Sequence, residues 1–158
     1  MIVGVTGHQN IPDAALLFVK RELHQTLSRH RVGLIGVSSL AAGADQLFAE
    51  IILQLQGRLH VVVPSQRYED SFTNEAALEN FNTLIKSASN IEILPFDKPS
   101  EEAYFEAGCK VVSRSSLIVA VWDGEGAKGE GGTADIVHFA TACQKSIQII
   151  WPEGVHRK

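Results

Sequence analysis

Residues 117–135 have the sequence LIVAVWDGEGAKGEGGTAD. The stretch from Leu117 to Trp122 is apolar and rich in β-branched side chains, which is typical of a buried strand. A glycine-rich turn follows, and a helix-like segment begins at about Gly132. Backbone N–H groups at a helix start, together with the positive end of the helix dipole, favour an anion, and glycines let a ligand approach the backbone. The stretch therefore predicts a strand, an anion-binding turn and a helix in succession.

The same alternation of strand and helix extends over the rest of the chain. In the first helix, apolar side chains recur at three- and four-residue intervals, the spacing of one helical face: Leu16, Val19, Leu23 and Leu27. Strands are predicted at residues 2–6, 32–37, 59–63, 91–95, 117–122 and 147–151, and helices at residues 13–30, 44–56, 74–87, 101–113 and 132–143. Strands that are apolar throughout, interleaved with helices, indicate a parallel sheet covered on both faces. We therefore expect the α/β class, with a doubly wound, mostly parallel Rossmann-like sheet in one domain spanning residues 1–158.

Composition limits the kind of protein that this sequence can encode. With 158 residues, 45% of them hydrophobic, the chain can bury a core of its own without disulfides or a metal. Cys109 and Cys143 have no Cys-x-x-Cys spacing and no signal-peptide pattern is visible, so we expect a cytoplasmic protein. No apolar run approaches the roughly 20 residues that span a bilayer, so no membrane partner is expected. A net charge of −4 argues against a broad nucleic-acid-binding surface.

Candidate ligand-binding residues follow the predicted strands, because the strand-to-helix turns of a parallel sheet meet at its carboxyl edge. After the first strand, Gly7 allows close backbone approach, and His8 can contact a phosphate or a base. An ordinary turn with a solvated histidine fits the same residues. After the second strand, Ser38 and Ser39 offer hydroxyl donors, and Gly43 lies near the start of a helix. Asp45 offers a carboxylate that can accept from a ribose hydroxyl. Asp45 equally fits a stabilising charge in the first turn of a helix.

Two further turns carry side chains that suit a nucleotide. After the third strand, Arg67 can hold a phosphate in a bidentate manner, and Tyr68 can pack on a base. After the fifth strand, Trp122 offers a stacking surface and is followed by Asp123. Surface residues without a ligand, and a packed tryptophan at a strand end, explain the same sequence.

The glycine-rich turn before the last helix is the predicted phosphate site. Backbone donors there are predicted to hold the phosphate: Gly131, Gly132 and Thr133. Glu130 and Asp135 are candidates for an acid/base pair in N-glycosidic hydrolysis, which needs a carboxylate within reach of water or sugar. A solvated loop carboxylate and a favourable first-turn charge explain them equally. No metal site and no cofactor are predicted, since the six histidines are scattered without a paired spacing.

Two short motifs are similar to those of a known superfamily. Residues 39–45, SLAAGAD, resemble the Ser-Gly-x-Ala-x-Gly-x-Asp turn of the DNA-processing protein A family. The Gly-Gly-Thr turn at residues 131–133 resembles the Pro-Gly-Gly-x-Gly-Thr-x-x-Glu motif of the LONELY GUY phosphoribohydrolases and of the molybdenum-cofactor carrier proteins. These families belong to the SLOG superfamily, so the resemblance implies a Rossmann-like fold that binds a nucleotide or a nucleotide-derived ligand. It extends in order from Val5 to Ala134 and also implies a homo-oligomer.

The chain departs from the hydrolase motif in ways that decide what the resemblance implies. When the motif is aligned on Thr133, Lys128 replaces its proline and Glu130 replaces its second glycine. Ile136 replaces the motif glutamate, and Asp135 lies one residue away, about 100° of helical rotation. The resemblance thus carries over phosphate binding but not hydrolysis. We expect a nucleotide-binding sensor or carrier module, with three alternatives open: a LONELY GUY-type nucleoside 5′-monophosphate phosphoribohydrolase, a pterin-cofactor carrier and a DNA-handling module.

Overall fold

The computed structural model describes residues 1–126 and 132–156. Its strands are β1 (Ile2–Gly7), β2 (Ile35–Ser38), β3 (Arg58–Val63), β4 (Asn90–Ile93), β5 (Leu117–Val121) and β6 (Ser146–Ile150). Its helices are α1 (Asp13–Ser28), α2 (Ala44–Gln54), α3 (Glu75–Lys86), α4 (Glu101–Arg114) and α5 (Thr133–Ala142), with a short 3-10 helix at Tyr68–Ser71. The predicted alternation of strands and helices is therefore confirmed over the described part of the chain.

The six described strands form one parallel sheet in the order β4-β3-β2-β1-β5-β6. From β1 to β4, each strand is added next to the previous one toward one edge of the sheet. The chain then crosses back, and β5 and β6 are added on the other side of β1. The register of β1 and β5 runs from Val3 opposite Leu117 to Gly7 opposite Val121. The direction of winding changes between these two strands, which is where ligands bind in doubly wound sheets. The predicted fold class, a doubly wound parallel Rossmann-like sheet, is confirmed.

Helices cover both faces of the sheet. On β5, Val119 packs with α1 and α2, whereas its neighbour Ile118 packs with α4 and α5, because successive side chains of a strand alternate between faces. Both side chains are 0% exposed. On the α2 side, α3 adds Phe81 and Leu84 to the core. Burial on both faces explains why the central strands are apolar throughout instead of alternating.

The structure differs from the sequence prediction at the start of β2 and in the loop after β3. The apolar run predicts a strand from Val32, but β2 begins at Ile35, because Gly33 forms a turn with a φ of +67° and Val32 is 94% exposed. The loop after β3, where no helix is predicted, contains the 3-10 helix, in which Tyr68 is buried. Within the described ranges, no helix is both long enough and apolar enough to cross a bilayer.

Gly43, immediately before α2, is expected to tolerate no side chain. It has a φ of +82° and a ψ of −124°, and a Cβ atom there would lie 2.3 Å from the carbonyl oxygen of Gln9. We expect Gly43→Ala to lower the free energy of unfolding by at least about 2 kcal/mol, measured by urea denaturation.

Gly33→Ala is the matched control for this substitution. Its φ is also positive, at +67°, but a Cβ atom there meets nothing within 4 Å. The control should therefore lose only about 1 kcal/mol, the strain of the left-handed backbone. Equal losses for the two variants would contradict a steric role for Gly43.

Candidate functional site

The carboxyl ends of β1 and β5 bring together residues that are far apart in the sequence. The two strands stay in register up to Val121, and the amide of His8 then donates to the Val121 carbonyl oxygen over 3.1 Å. Nε2 of His8 lies 3.2 Å from Oδ1 of Asp123, and Nδ1 of the same ring lies 3.5 Å from Oγ1 of Thr133. The indole of Trp151, which follows β6, lies nearly at right angles to the imidazole, with the ring centroids 5.4 Å apart. We call His8, Asp123, Thr133 and Trp151 the switch-point cluster.

The three polar side chains of the switch-point cluster are buried. His8 is 4% exposed and Thr133 is 8% exposed, and the Asp123 side chain retains 2%. Nε2 of His8 faces both Oδ1 and, at 3.1 Å, the backbone amide of Asp123. It can therefore accept from the amide when unprotonated and donate to the carboxylate when protonated. In either state Asp123 fixes the ring, and the ring fixes the hydroxyl of Thr133 at the first residue of α5.

The loop after β1 is clamped between the starts of two helices. The amide of Ala44 donates to the carbonyl oxygen of His8 over 3.1 Å, and Gly43 lies against the backbone of Gln9. A Cβ atom at Gly7 would lie 2.5 Å from the Cβ atom of Ala44. Gly7 and Gly43 therefore let backbone segments approach one another. Because His8 also touches the start of α5, the starts of α2 and α5 lie on either side of one loop.

The turn before α2 is held by its own side chains. Ser38 is 0% exposed; its hydroxyl accepts from the amide of Leu40 over 3.0 Å and donates to the carbonyl oxygen of Asp45 over 3.1 Å. Oδ2 of Asp45 accepts from the amide of Ala41 over 3.3 Å. Burial raises the pKa of Asp45 to about 7, against the opposing effect of hydrogen bonds from the amides of Ala41 and Ser39. Ser38 and Asp45 therefore shape this turn, and Ser39 keeps part of its surface exposed there.

The two residues predicted after β3 have different surroundings. Arg67 is exposed, with a φ of +54°. Tyr68 is 3% exposed, and burial raises the pKa of its hydroxyl well above the ordinary value. Its ring lies within an aromatic cluster formed with Phe72, Phe81 and Tyr104. The ring of Tyr68 is therefore part of the core, and neither residue belongs to the switch-point cluster.

The residues after β5 form a tight turn. Trp122 is partly exposed, and its Nε1 donates to the carbonyl oxygen of Glu125 over 2.8 Å. Oδ1 of Asp123 accepts from the amide of Glu125 over 3.0 Å, so the carboxylate holds this turn as well as His8. The indole of Trp122 thus lies on the turn that carries Asp123.

Two other predicted residues lie at the start of α5. Gly132 is the N-cap residue of α5 and is partly exposed, as is Asp135 in the first turn of the helix. The predicted residues Glu130 and Gly131 lie outside the described residues, as does Lys128, which replaces the motif proline. Within residues 1–126 and 132–156, no group of three histidine, cysteine, aspartate or glutamate side chains is placed to hold a metal ion.

A cavity of about 520 Å³ lies at the same edge of the sheet, between the loop after β1 and the starts of α2 and α3. Five carboxamide side chains line it: Gln9, Asn10, Gln46, Asn74 and Asn80. We call it the carboxamide cavity. Of the residues that line it, Gly43 alone belongs to the sequence-predicted site. The sequence does not predict these carboxamides as a site, because they are dispersed over three segments and form no motif.

Comparison with known proteins supports the fold. The sequence matches no protein-family model and no curated protein. Among solved structures, DNA processing protein A from Streptococcus pneumoniae is similar, with a TM-score of 0.68 at 16% identity over 93% of this chain and 49% of that chain. The Helicobacter pylori protein of the same name, described with a single-stranded DNA binding mode, gives a TM-score of 0.67 at 17% identity over 94% of this chain and 64% of that one.

A molybdenum cofactor carrier protein from Chlamydomonas reinhardtii is also similar, with a TM-score of 0.59 at 17% identity. That match covers 94% of this chain and 75% of the carrier. These likenesses define the class of fold as Rossmann-like with a parallel sheet. A Rossmann-like fold is also what the sequence resemblance implied.

Asp45 is expected to make the stability of the protein depend on pH. Its pKa of about 7 lies above the ordinary value of 3.8, so protonation stabilises the folded state. This contribution is complete below the ordinary value and is lost as the pH rises to about 7. Asp45→Asn mimics the protonated form and should become more stable than the wild type across this range, by up to about 1.4 kcal/mol per pH unit.

Urea denaturation of both proteins at several pH values between 4 and 8 measures this difference. The lowest pH serves as the control, because the two proteins should be nearly equally stable there. If the free energy of unfolding changes with pH in the same way for both proteins, the carboxyl of Asp45 has the same pKa in the folded and unfolded chains, which would contradict the prediction.

Proposed function

We propose that this chain binds a nucleotide, or a nucleotide-derived phosphate ligand, at the carboxyl edge of its sheet and acts as a sensor or carrier module. One observation carries the proposal: α2 and α5 both start at this edge, on either side of the loop at residues 8–9, where the winding of the sheet reverses. Open parallel sheets bind ligands at this point, and helix starts favour phosphate. We also propose that the protein is cytoplasmic and forms a homo-oligomer.

Thr133 supports the placement of the phosphate. Its hydroxyl is oriented by His8, and its backbone amide belongs to the first turn of α5, where amides lack partners within the helix. The partly exposed Gly132 precedes it and adds no side chain that would shield these donors. In the proposed complex, the hydroxyl and the first amides of α5 bind the phosphate oxygens.

The net charge of −4 favours a small ligand over a nucleic-acid strand, because a strand needs a basic surface to neutralise many phosphates. One structural neighbour is described as a molybdenum cofactor carrier and another as binding single-stranded DNA. Both neighbours support a ligand-binding role for this fold. The negative net charge supports a small molecule as the ligand of this chain.

The proposal is tested by calorimetric titration with nucleoside mono-, di- and cyclic phosphates. We expect Thr133→Val to weaken binding about ten- to a hundredfold, because a hydrogen bond to a charged group contributes about 1.5–3 kcal/mol. Thr141→Val is the matched control: it makes the same change on the same helix, at its exposed far end. No binding at millimolar concentration, or equal affinity of the two variants, would overturn the proposal.

Phosphoribohydrolase activity is the alternative function. Ile136, at the position of the motif glutamate, is 3% exposed and lies in the core, next to Gly108 of α4 and in one cluster with Ile118 of β5. Asp135 is partly exposed in the first turn of α5, which is the observation that favours this alternative. An enzyme would release free base from nucleoside monophosphates and lose this activity on Asp135→Asn but not on Asp13→Asn, a first-turn aspartate of α1. Binding without release of base would exclude the alternative.

A further inference from the structure

The carboxamide cavity adjoins the switch-point cluster along one loop. Gln9 and Asn10 line the cavity and directly follow His8 in the sequence. The opposite wall is formed by the first turns of α2 and α3 and by the loop before α3. Its volume of about 520 Å³ falls within the range of small-molecule sites, roughly 300–1,000 Å³. A ligand bound at the start of α5 could therefore extend over residues 8–10 into this cavity.

The lining of the cavity is polar but uncharged. None of the described residues that line it is charged. A carboxamide presents a carbonyl acceptor beside two N–H donors, which is the pattern that pairs with the hydrogen-bonding edge of a nucleobase. Behind the lining, Oε1 of Glu50 accepts from Nδ2 of Asn80 over 2.7 Å, so an acidic side chain lies next to the cavity. Such surroundings favour a neutral ring and disfavour a phosphate.

Two of the carboxamides have orientations fixed by their partners. Nδ2 of Asn80 donates to Glu50 and, over 3.0 Å, to Oε1 of Gln46, so Oδ1 is the atom left to accept. Oδ1 of Asn74 accepts from the amide of Ala77 over 3.0 Å and caps α3, so its NH2 group is left to donate. A carboxylate can only accept and a backbone amide can only donate, which excludes the flipped orientations. The cavity thus combines one defined acceptor with one defined donor.

Buried contacts hold this arrangement in place. Gln46 is 5% exposed, and its Nε2 donates to the carbonyl oxygens of Leu40 and Ala77 over 3.2 and 2.9 Å. Phe72, which also lines the cavity, packs on the buried ring of Tyr68 with centroids 5.3 Å apart. A fixed aromatic side chain beside fixed hydrogen-bonding groups suits a planar ring, because aromatic faces stack on bases.

We propose that the carboxamide cavity is the subsite for a nucleobase-type heterocycle, an uncharged planar ring with adjacent hydrogen-bond donors and acceptors. This inference rests on the proposed function, since the phosphate of the same ligand lies at the start of α5. The base is recognised by Asn10, Asn74 and Asn80, and Phe72 packs on its plane. The selectivity of the protein for its ligand therefore resides in α3 and the loop after β1.

Cavity variants that keep the fold test the inference. Asn74→Ser retains a residue that caps helices well but removes the NH2 donor, and Asn10→Ala changes an exposed loop side chain. Asn82→Ser is the matched control, because Asn82 is exposed on α3 and does not line the cavity. Calorimetry with a nucleoside monophosphate should show about tenfold weaker binding to each cavity variant and unchanged binding to the control. Ribose 5-phosphate, which has no base, should bind all of these variants as it binds the wild type.

A second measurement follows the base directly. In ¹⁵N-labelled protein, uncharged nucleosides should shift the side-chain amide resonances of Asn10 and Asn74, whereas ribose 5-phosphate should shift the backbone amides of Thr133 and Ala134. If nucleotides bind and Thr133→Val weakens them while the cavity variants bind like the wild type, the base subsite is wrong and the proposed function stands. If no mononucleotide binds, both the base subsite and the proposed function are wrong. Binding of single-stranded oligonucleotides alone would also overturn the subsite in favour of a nucleic-acid surface.

Discussion

The parallel pairing of β1 with β5 is the constraint on which both the sheet and the candidate site depend. β1 lies between β2 and β5, so both of its edges are hydrogen-bonded, and helices bury both of its faces. Because the two strands stay in register up to Gly7 and Val121, the residues that follow them leave the sheet side by side. His8 meets Asp123 through this register and not through any local motif. A slip of one residue would separate the ring from the carboxylate and turn the core side chains of β1 to the wrong face.

Much of the fold could be predicted from the sequence, because burial on both faces makes each strand a continuous apolar run and each helix keeps an apolar stripe. The errors have local physical causes. Val32 looks like the start of a strand, but β2 can begin only where β1 offers a partner, at Ile35 opposite Ile2. The order of strands in the sheet cannot be derived from a single sequence. The contact of His8 with Asp123 and the position of Trp151 depend on this order, so they could not be predicted. Tyr68, predicted to pack on a base, lies instead among aromatic side chains of the core.

In the proposed complex, the site has two chemically different halves joined by the loop at residues 8–10. One half offers a hydroxyl and helix amides at Thr133, and the other offers neutral carboxamides around Asn74 and Asn80. The first half could be predicted from the glycine turns, because glycine is a strong local signal in a sequence. The second half carries no such signal, since amide side chains become a site only when the fold gathers them. The turn that holds Asp45 lies beside this second half and sets the position of Ala41, which lines the cavity.

The edge-on contact between Trp151 and His8 gives this protein a built-in optical probe. The indole Nε1 donates to the carbonyl oxygen of Val155 over 2.8 Å, and this hydrogen bond restrains the ring beside the imidazole. Indole emission depends on nearby charge and on the rigidity of its surroundings. A change in the proton on His8, or a shift of the loop that carries it, would therefore alter the fluorescence of Trp151. Events at the carboxyl edge of the sheet can in this way be followed by light emission from unlabelled protein.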